Sequence, residues 1–178
     1  MIWIFLIPSA VILAGVFIYY FRPKKQLRTE SIYTHALNAM VRGDTRTALS
    51  HLRNVVKQDT NHINAYLQMG DILREEDNAQ AAIKIHQSLT VRPNLSNEVK
   101  RDIHKSLALD FEQLGNITKA MGEAEIVLKL DRKNLWANEF LLKIFEERRE
   151  WDKAMQTTKA IQKLKQSRDP SEIARFLV

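Results

Sequence analysis

The 178 residues contain no cysteine. That absence excludes disulfides, thiolate metal sites and a lipid-modified cysteine anchor together, and it suits a reducing compartment. Glycine and proline are scarce, at 5 and 4 residues. A nearly all-helical chain requires this, because each weakens a helix interior by about 1–3 kcal/mol. There is no glycine-rich phosphate loop and no Gly-x-Ser-x-Gly elbow. The five histidines, His35, His51, His62, His86 and His104, show no HExxH or other paired ligand spacing. Glu75-Glu76 and Glu146-Glu147 are adjacent along helices, so their carboxylates diverge instead of converging on one substrate atom. The sequence therefore predicts no enzyme, no cofactor and no metal. Of the net charge of +6, four positive charges (Arg22, Lys24, Lys25 and Arg28) stand together in one short segment. The remainder is close to balanced and has no basic stripe with interleaved aromatics, which argues against nucleic acid as a partner.

What is present is a spacing. In AYLQMGDILREEDNAQAAIKIHQSL (Ala65 to Leu89), Gly70 and Ala82 stand twelve apart with Asp77-Asn78 between them. That is the spacing of the small residues in a tetratricopeptide repeat, a helix–turn–helix unit of about 34 residues. A small residue in the first helix lets the second approach, and short polar side chains suit the turn. The pattern recurs as Gly43 with Ala48, Gly115 with Ala120, and Trp151 with Ala154. A common frame yields four repeats, 29–62, 63–96, 101–134 and 135–168. Its small first-helix position holds Ala36, Gly70, Ala108 and, out of pattern, Leu142; its bulky position holds Ala39, Leu73, Phe111 and Phe145. Asp59 and Asp131 close their repeats at corresponding places, and His86 falls at a core or boundary position. The extra residues of Arg92 to Lys100, with Pro93 and a fresh helix start at Ser96, interrupt the period, either as a tolerated loop or as a change of superhelical angle.

Before the repeats, Met1 to Phe21 carries no charged side chain. A run of about 20 apolar residues crosses the roughly 30 Å hydrocarbon core, and Trp3 and Tyr19-Tyr20 suit its two interfaces. No basic segment precedes the run and no small-x-small site follows it, so a permanent anchor is expected over a cleaved signal. Ala10 and Ala14 form a small-xxx-small pair compatible with a homo-oligomer. Arg22, Lys24, Lys25 and Arg28, in the basic segment 22–28, face the membrane surface. By the positive-inside rule they place the repeats in the cytoplasm. The expected fold class is all-α, a transmembrane helix over 1–21 followed by a helical solenoid.

The segments AYLQMGDILRE and IKIHQSL, behind an anchor with a basic flank, and later EWDKA (Glu150 to Ala154) and SEIARF (Ser171 to Phe176), resemble the lipopolysaccharide assembly protein B family in the same order. The resemblance covers nearly the whole chain. It implies a bacterial inner-membrane adaptor, not an enzyme, that works with the membrane protease FtsH to control degradation of LpxC, the lipid A deacetylase. It further implies proteins of lipid A biosynthesis or lipopolysaccharide transport as partners. That family continues to a rubredoxin-like module holding a metal with four cysteines; this sequence has no cysteine and reads as a fragment truncated before such a module, so no metal dependence carries over. Residues 169–178 read as the start of a further helix, or a folded-back cap, with Ile173, Phe176, Leu177 and Val178 apolar. A membrane-tethered periplasmic scaffold in cytochrome maturation or envelope assembly is the alternative function, and an enzyme with an unrecognised site is a third.

Recognition is expected on the exposed positions of each repeat's first helix. Those are Asn64, Leu67, Asp71, Arg74 and Glu75; Asp102, Lys105, Glu112 and Gln113; and Glu139, Lys143, Glu146 and Glu147. The seven acidic and three basic members among them would steer a basic or amphipathic segment. In the first repeat Tyr33, Leu37, Met40 and Val41 make an apolar, membrane-proximal patch suited to a partner's membrane helix.

Overall fold

The computed structural model describes residues 28–168. The expected anchor at 1–21, Arg22, Lys24 and Lys25 of the basic segment, and the terminal segment 169–178 lie outside the described residues. No helix among the described residues is long and apolar enough to cross a membrane. The described chain is all-helical: α1 (28–41), α2 (Thr45–Gln58), α3 (Ile63–Glu75), α4 (Ala79–Thr90), α5 (Asn97–Gln113), α6 (Ile117–Leu130), α7 (Leu135–Glu147) and α8 (Trp151–Arg168). It falls into two compact units, one ending at Met69 and the other beginning at Gly70.

The turn between paired helices is built the same way four times. Gly43, Asp77, Gly115 and Arg149 all take positive φ, at 73°, 60°, 70° and 58°. At each, its own N–H and the next residue's N–H bond back to the preceding helix: Asp77 to the Arg74 carbonyl at 3.0 Å and Asn78 to that of Leu73 at 2.8 Å, for example. This left-handed cap satisfies carbonyls that the helix end would otherwise leave open. The following residue then starts the next helix. Asp44, Asn78 and Asn116 accept from the backbone N–H three residues on, at 3.0, 3.3 and 3.2 Å. In the fourth turn Glu150 instead pairs with Lys153 and Arg148, each at 2.7 Å. Arg149 is the one long side chain held in the left-handed region by these turns, which costs a non-glycine residue about 1–2 kcal/mol. Arg149→Gly is expected to stabilise the chain by up to about 1 kcal/mol; an unchanged or lowered midpoint of chemical denaturation would contradict it.

Asp59 and Asp131 end α2 and α6 in extended conformations, and each carboxylate accepts from the N–H two residues on, at 2.9 and 3.1 Å. The longer connection after α4 uses Asn94 at φ 59° and Ser96 as the cap of α5. Its extra residues are largely wound into helix, because α5 runs to 17 residues where α3 and α7 have 13.

Each unit has its own apolar interior. In the first, α2 buries Ala48, Leu49, Leu52 and Val55, one stripe of an amphipathic helix, and Ala36 and Ala39 are fully buried with them. In the second, α4 packs on α5, α5 on α6, α6 on α7 and α7 on α8, burying Ile72, Leu89, Ile103, Leu107, Val127 and Ile144. Phe111 and Phe145 are buried at equivalent places, each with a lysine over its ring: Lys119 at 5.2 Å and Lys153 at 5.5 Å.

A candidate protein-binding surface

Gly70 of α3 lies directly against His86 of α4. A Cβ there would lie 2.2 Å from His86 Nε2, inside any tolerable contact. His86 is fully buried, and its Nδ1 donates to Asp110 Oδ2 at 2.6 Å. Asp110, also fully buried, accepts at its other oxygen from Arg74 Nη1 at 3.0 Å. The same guanidinium nitrogen reaches Asp71 at 2.7 Å, and Ser106 Oγ donates to Asp71 at 3.0 Å. Three helices are therefore held together by a polar network in which every buried side-chain nitrogen and oxygen finds a partner. Two opposing influences act on Arg74: burial disfavours its charge, and the carboxylates of Asp71 and Asp110 more than compensate, so its pKa is raised.

The network carries consequences for the expected contact residues. Arg74 and Asp71 are committed to holding α3 against α5, and Leu67 is buried at 7% exposure. Leu67, expected at an exposed position, is therefore buried instead. Glu75 is exposed, as is Gln113, which reaches Asp77 at 2.9 Å.

Further along the second unit, α5 and α7 present the other residues expected at a surface. Lys143 of α7 donates to Glu112 of α5 at 2.9 Å, and that hydrogen bond raises the lysine's pKa. Glu139 pairs with Lys165 of α8 at 3.1 Å. Glu146 and Glu147 are exposed at the end of α7. Three of the seven expected acidic residues, Asp71, Glu112 and Glu139, are thus paired within the chain; Glu75, Asp102, Glu146 and Glu147 are exposed.

Asp102 and Lys105 open onto a cavity of about 210 Å³, lined also by Glu98, Arg101, Asp131, Asn134 and Trp136. Arg101 reaches Asp131 at 3.3 Å. Lys105 places its ammonium 5.3 Å from the centre of the Trp136 ring, which stacks on Phe140 at 5.0 Å. The carboxyl of Asp102 is raised from its ordinary range, first by loss of surrounding water and then by the neighbouring Glu98.

In the first unit, α1 places Tyr33 and Met40 half-buried, with Leu37 at 37% and Val41 at 88% exposure. The Tyr33 ring lies 4.5 Å from that of His62, and burial raises its hydroxyl pKa. Arg28 is exposed where the described chain begins, and Asn64 is exposed near the start of α3.

Asp110, Ser106, Glu98, Arg101 and Trp136 were not among the residues expected from the sequence to form a surface or a network. A signal for Asp110 does exist. It interrupts the buried stripe Ile103, Leu107, Phe111 of α5 with a carboxylate, and His86 interrupts the stripe of α4 likewise. Two polar intruders in apolar stripes of successive helices are natural partners.

No protein-family profile matches the chain. It is 25% identical over 144 residues to lipopolysaccharide assembly protein B of Escherichia coli (strain K12), covering 81% of this chain and 37% of that protein. To the Haemophilus influenzae protein of the same name it is 30% identical over 112 residues, covering 62% of this chain and 28% of that one. The chain thus spans little more than a third of the first of these relatives and less than a third of the second. Among solved structures, MamA superposes with a TM-score of 0.69 at 22% identity, covering 79% of this chain and 80% of that one. A tetratricopeptide repeat protein from Parabacteroides merdae gives 0.66 at 16% identity, covering 76% of this chain and 53% of that one. The described residues adopt the tetratricopeptide-repeat fold, in a chain similar over most of its length to lipopolysaccharide assembly protein B.

Proposed function

We propose that the chain is a membrane-tethered adaptor of lipopolysaccharide assembly, using repeats at 29–62, 63–96, 101–134 and 135–168 to hold protein partners at the bilayer surface. The similarity to lipopolysaccharide assembly protein B over 81% of the chain carries this reading, and the repeat fold supports it, since solenoids of this kind present extended binding faces. The tether is the uncharged run Met1 to Phe21, and Arg22, Lys24, Lys25 and Arg28 set the repeats on the cytoplasmic side of a single-pass inner-membrane topology.

At the finer level, the adaptor brings the deacetylase LpxC to the protease FtsH. The tether confines adaptor and protease to one membrane and so raises their effective concentration without a new contact. Alkaline phosphatase fused after Val178 is expected to be inactive and green fluorescent protein bright. Pull-down of FtsH should be strong with the full chain and lost when residues 1–21 are removed. An active phosphatase fusion would overturn the topology; retention of the protease by the shortened chain would overturn the role of the tether.

A further inference from the structure

We propose that the cavity between α5 and α7 is a socket for one basic side chain, arginine in the first instance, presented by a protein partner. The inference rests on the adaptor reading only in taking the partner to be a protein. Three observations carry it. The first is size: about 210 Å³ is roughly seven water volumes of about 30 Å³, room for a side chain and far more than a bare ion needs.

The second is the disposition of charge. Of the five ionisable side chains in the lining, Arg101 is committed to Asp131 at 3.3 Å and Lys105 lies over the Trp136 ring at 5.3 Å. Glu98 and Asp102 are left facing the same space four residues apart on α5, a like-charge arrangement that destabilises a helix. The partial loss of water around Asp102 and its repulsion by Glu98 act in the same direction, and together they outweigh the opposing pull of Lys105 and Arg101. A guanidinium between the two carboxylates relieves both and forms charge-assisted hydrogen bonds.

The third is the wall. Trp136 rests on Phe140, and its indole already accepts a cation from within the chain. Lys105 thus occupies a position that an incoming arginine can share or take over, since a planar guanidinium stacks on aromatic faces better than an ammonium does.

The test uses the full chain in detergent micelles with ¹⁵N-labelled tryptophan. The probe is the capped peptide acetyl-Gly-Arg-Gly-amide, with its citrulline and glutamate counterparts as controls. The Trp136 indole resonance, assigned by its loss in Trp136→Phe, is followed during titration. The arginine peptide is expected to shift it saturably and the controls to leave it in place. Glu98→Gln combined with Asp102→Asn should weaken arginine binding at least ten-fold with unchanged circular dichroism, since both side chains are exposed. Lys105→Met should tighten it. No saturable shift with arginine, an equal shift with citrulline, tighter binding of the glutamate peptide, or a double variant that binds like the parent would each overturn the proposal. Because this readout needs neither cells nor deacetylase, a saturable titration beside a failed cellular assay removes the lipopolysaccharide reading and leaves the socket. The reverse removes the socket alone.

Discussion

Asp110→Ala is expected to cost about 3–5 kcal/mol, the loss that follows when one partner of a buried charged pair is deleted. Asp110 is fully buried, holding His86 at 2.6 Å and Arg74 at 3.0 Å. With alanine there, the imidazole of His86 and the guanidinium of Arg74 keep their burial and lose the carboxylate that offsets it. Asp71 Oδ1 is 4.0 Å from the ring's other nitrogen, beyond hydrogen-bond reach. Asp110→Asn preserves shape and part of the hydrogen bonding, so its loss should be smaller. Urea denaturation followed by circular dichroism reads both, and an alanine variant within about 0.5 kcal/mol of the parent, the range of ordinary surface changes, would show that the network contributes nothing to stability.

Gly70→Leu is the second large effect, expected to cost about 1–3 kcal/mol or more through overpacking. Even the single methyl of Gly70→Ala meets the His86 ring 2.2 Å away. The ring cannot withdraw freely, because Asp110 holds its far side. A double-mutant cycle identifies the cause: if the clash is with His86, then Gly70→Ala combined with His86→Ala should cost less than the sum of the two single changes. Strict additivity would place the clash elsewhere.

These two sites also show how far the sequence could be read. The small residue at position 70 was legible as a need for close approach, since glycine in a helix interior is disfavoured unless packing requires it. That the approaching group is an imidazole held by Asp110 was not legible, because the pairing joins residues 24 apart in sequence and depends on how α4 and α5 meet. The same holds for Lys143 with Glu112 and Arg101 with Asp131, which span different helices. Counting charges on first-helix positions could not show which of them pair across helices, whereas the turn at Asp77-Asn78 was local and legible. Arg149 hid the fourth turn from a glycine search, and Trp151 with Ala154 marked it instead.

The most direct measurement of the proposed role is the half-life of the lipid A deacetylase after translation is blocked, in cells that lack their own lipopolysaccharide assembly protein B. Cells supplied with the full chain should degrade the deacetylase faster than cells carrying empty vector, and removal of residues 1–21 should slow degradation again. A half-life that is the same with the full chain, the shortened chain and the empty vector would contradict the proposed function.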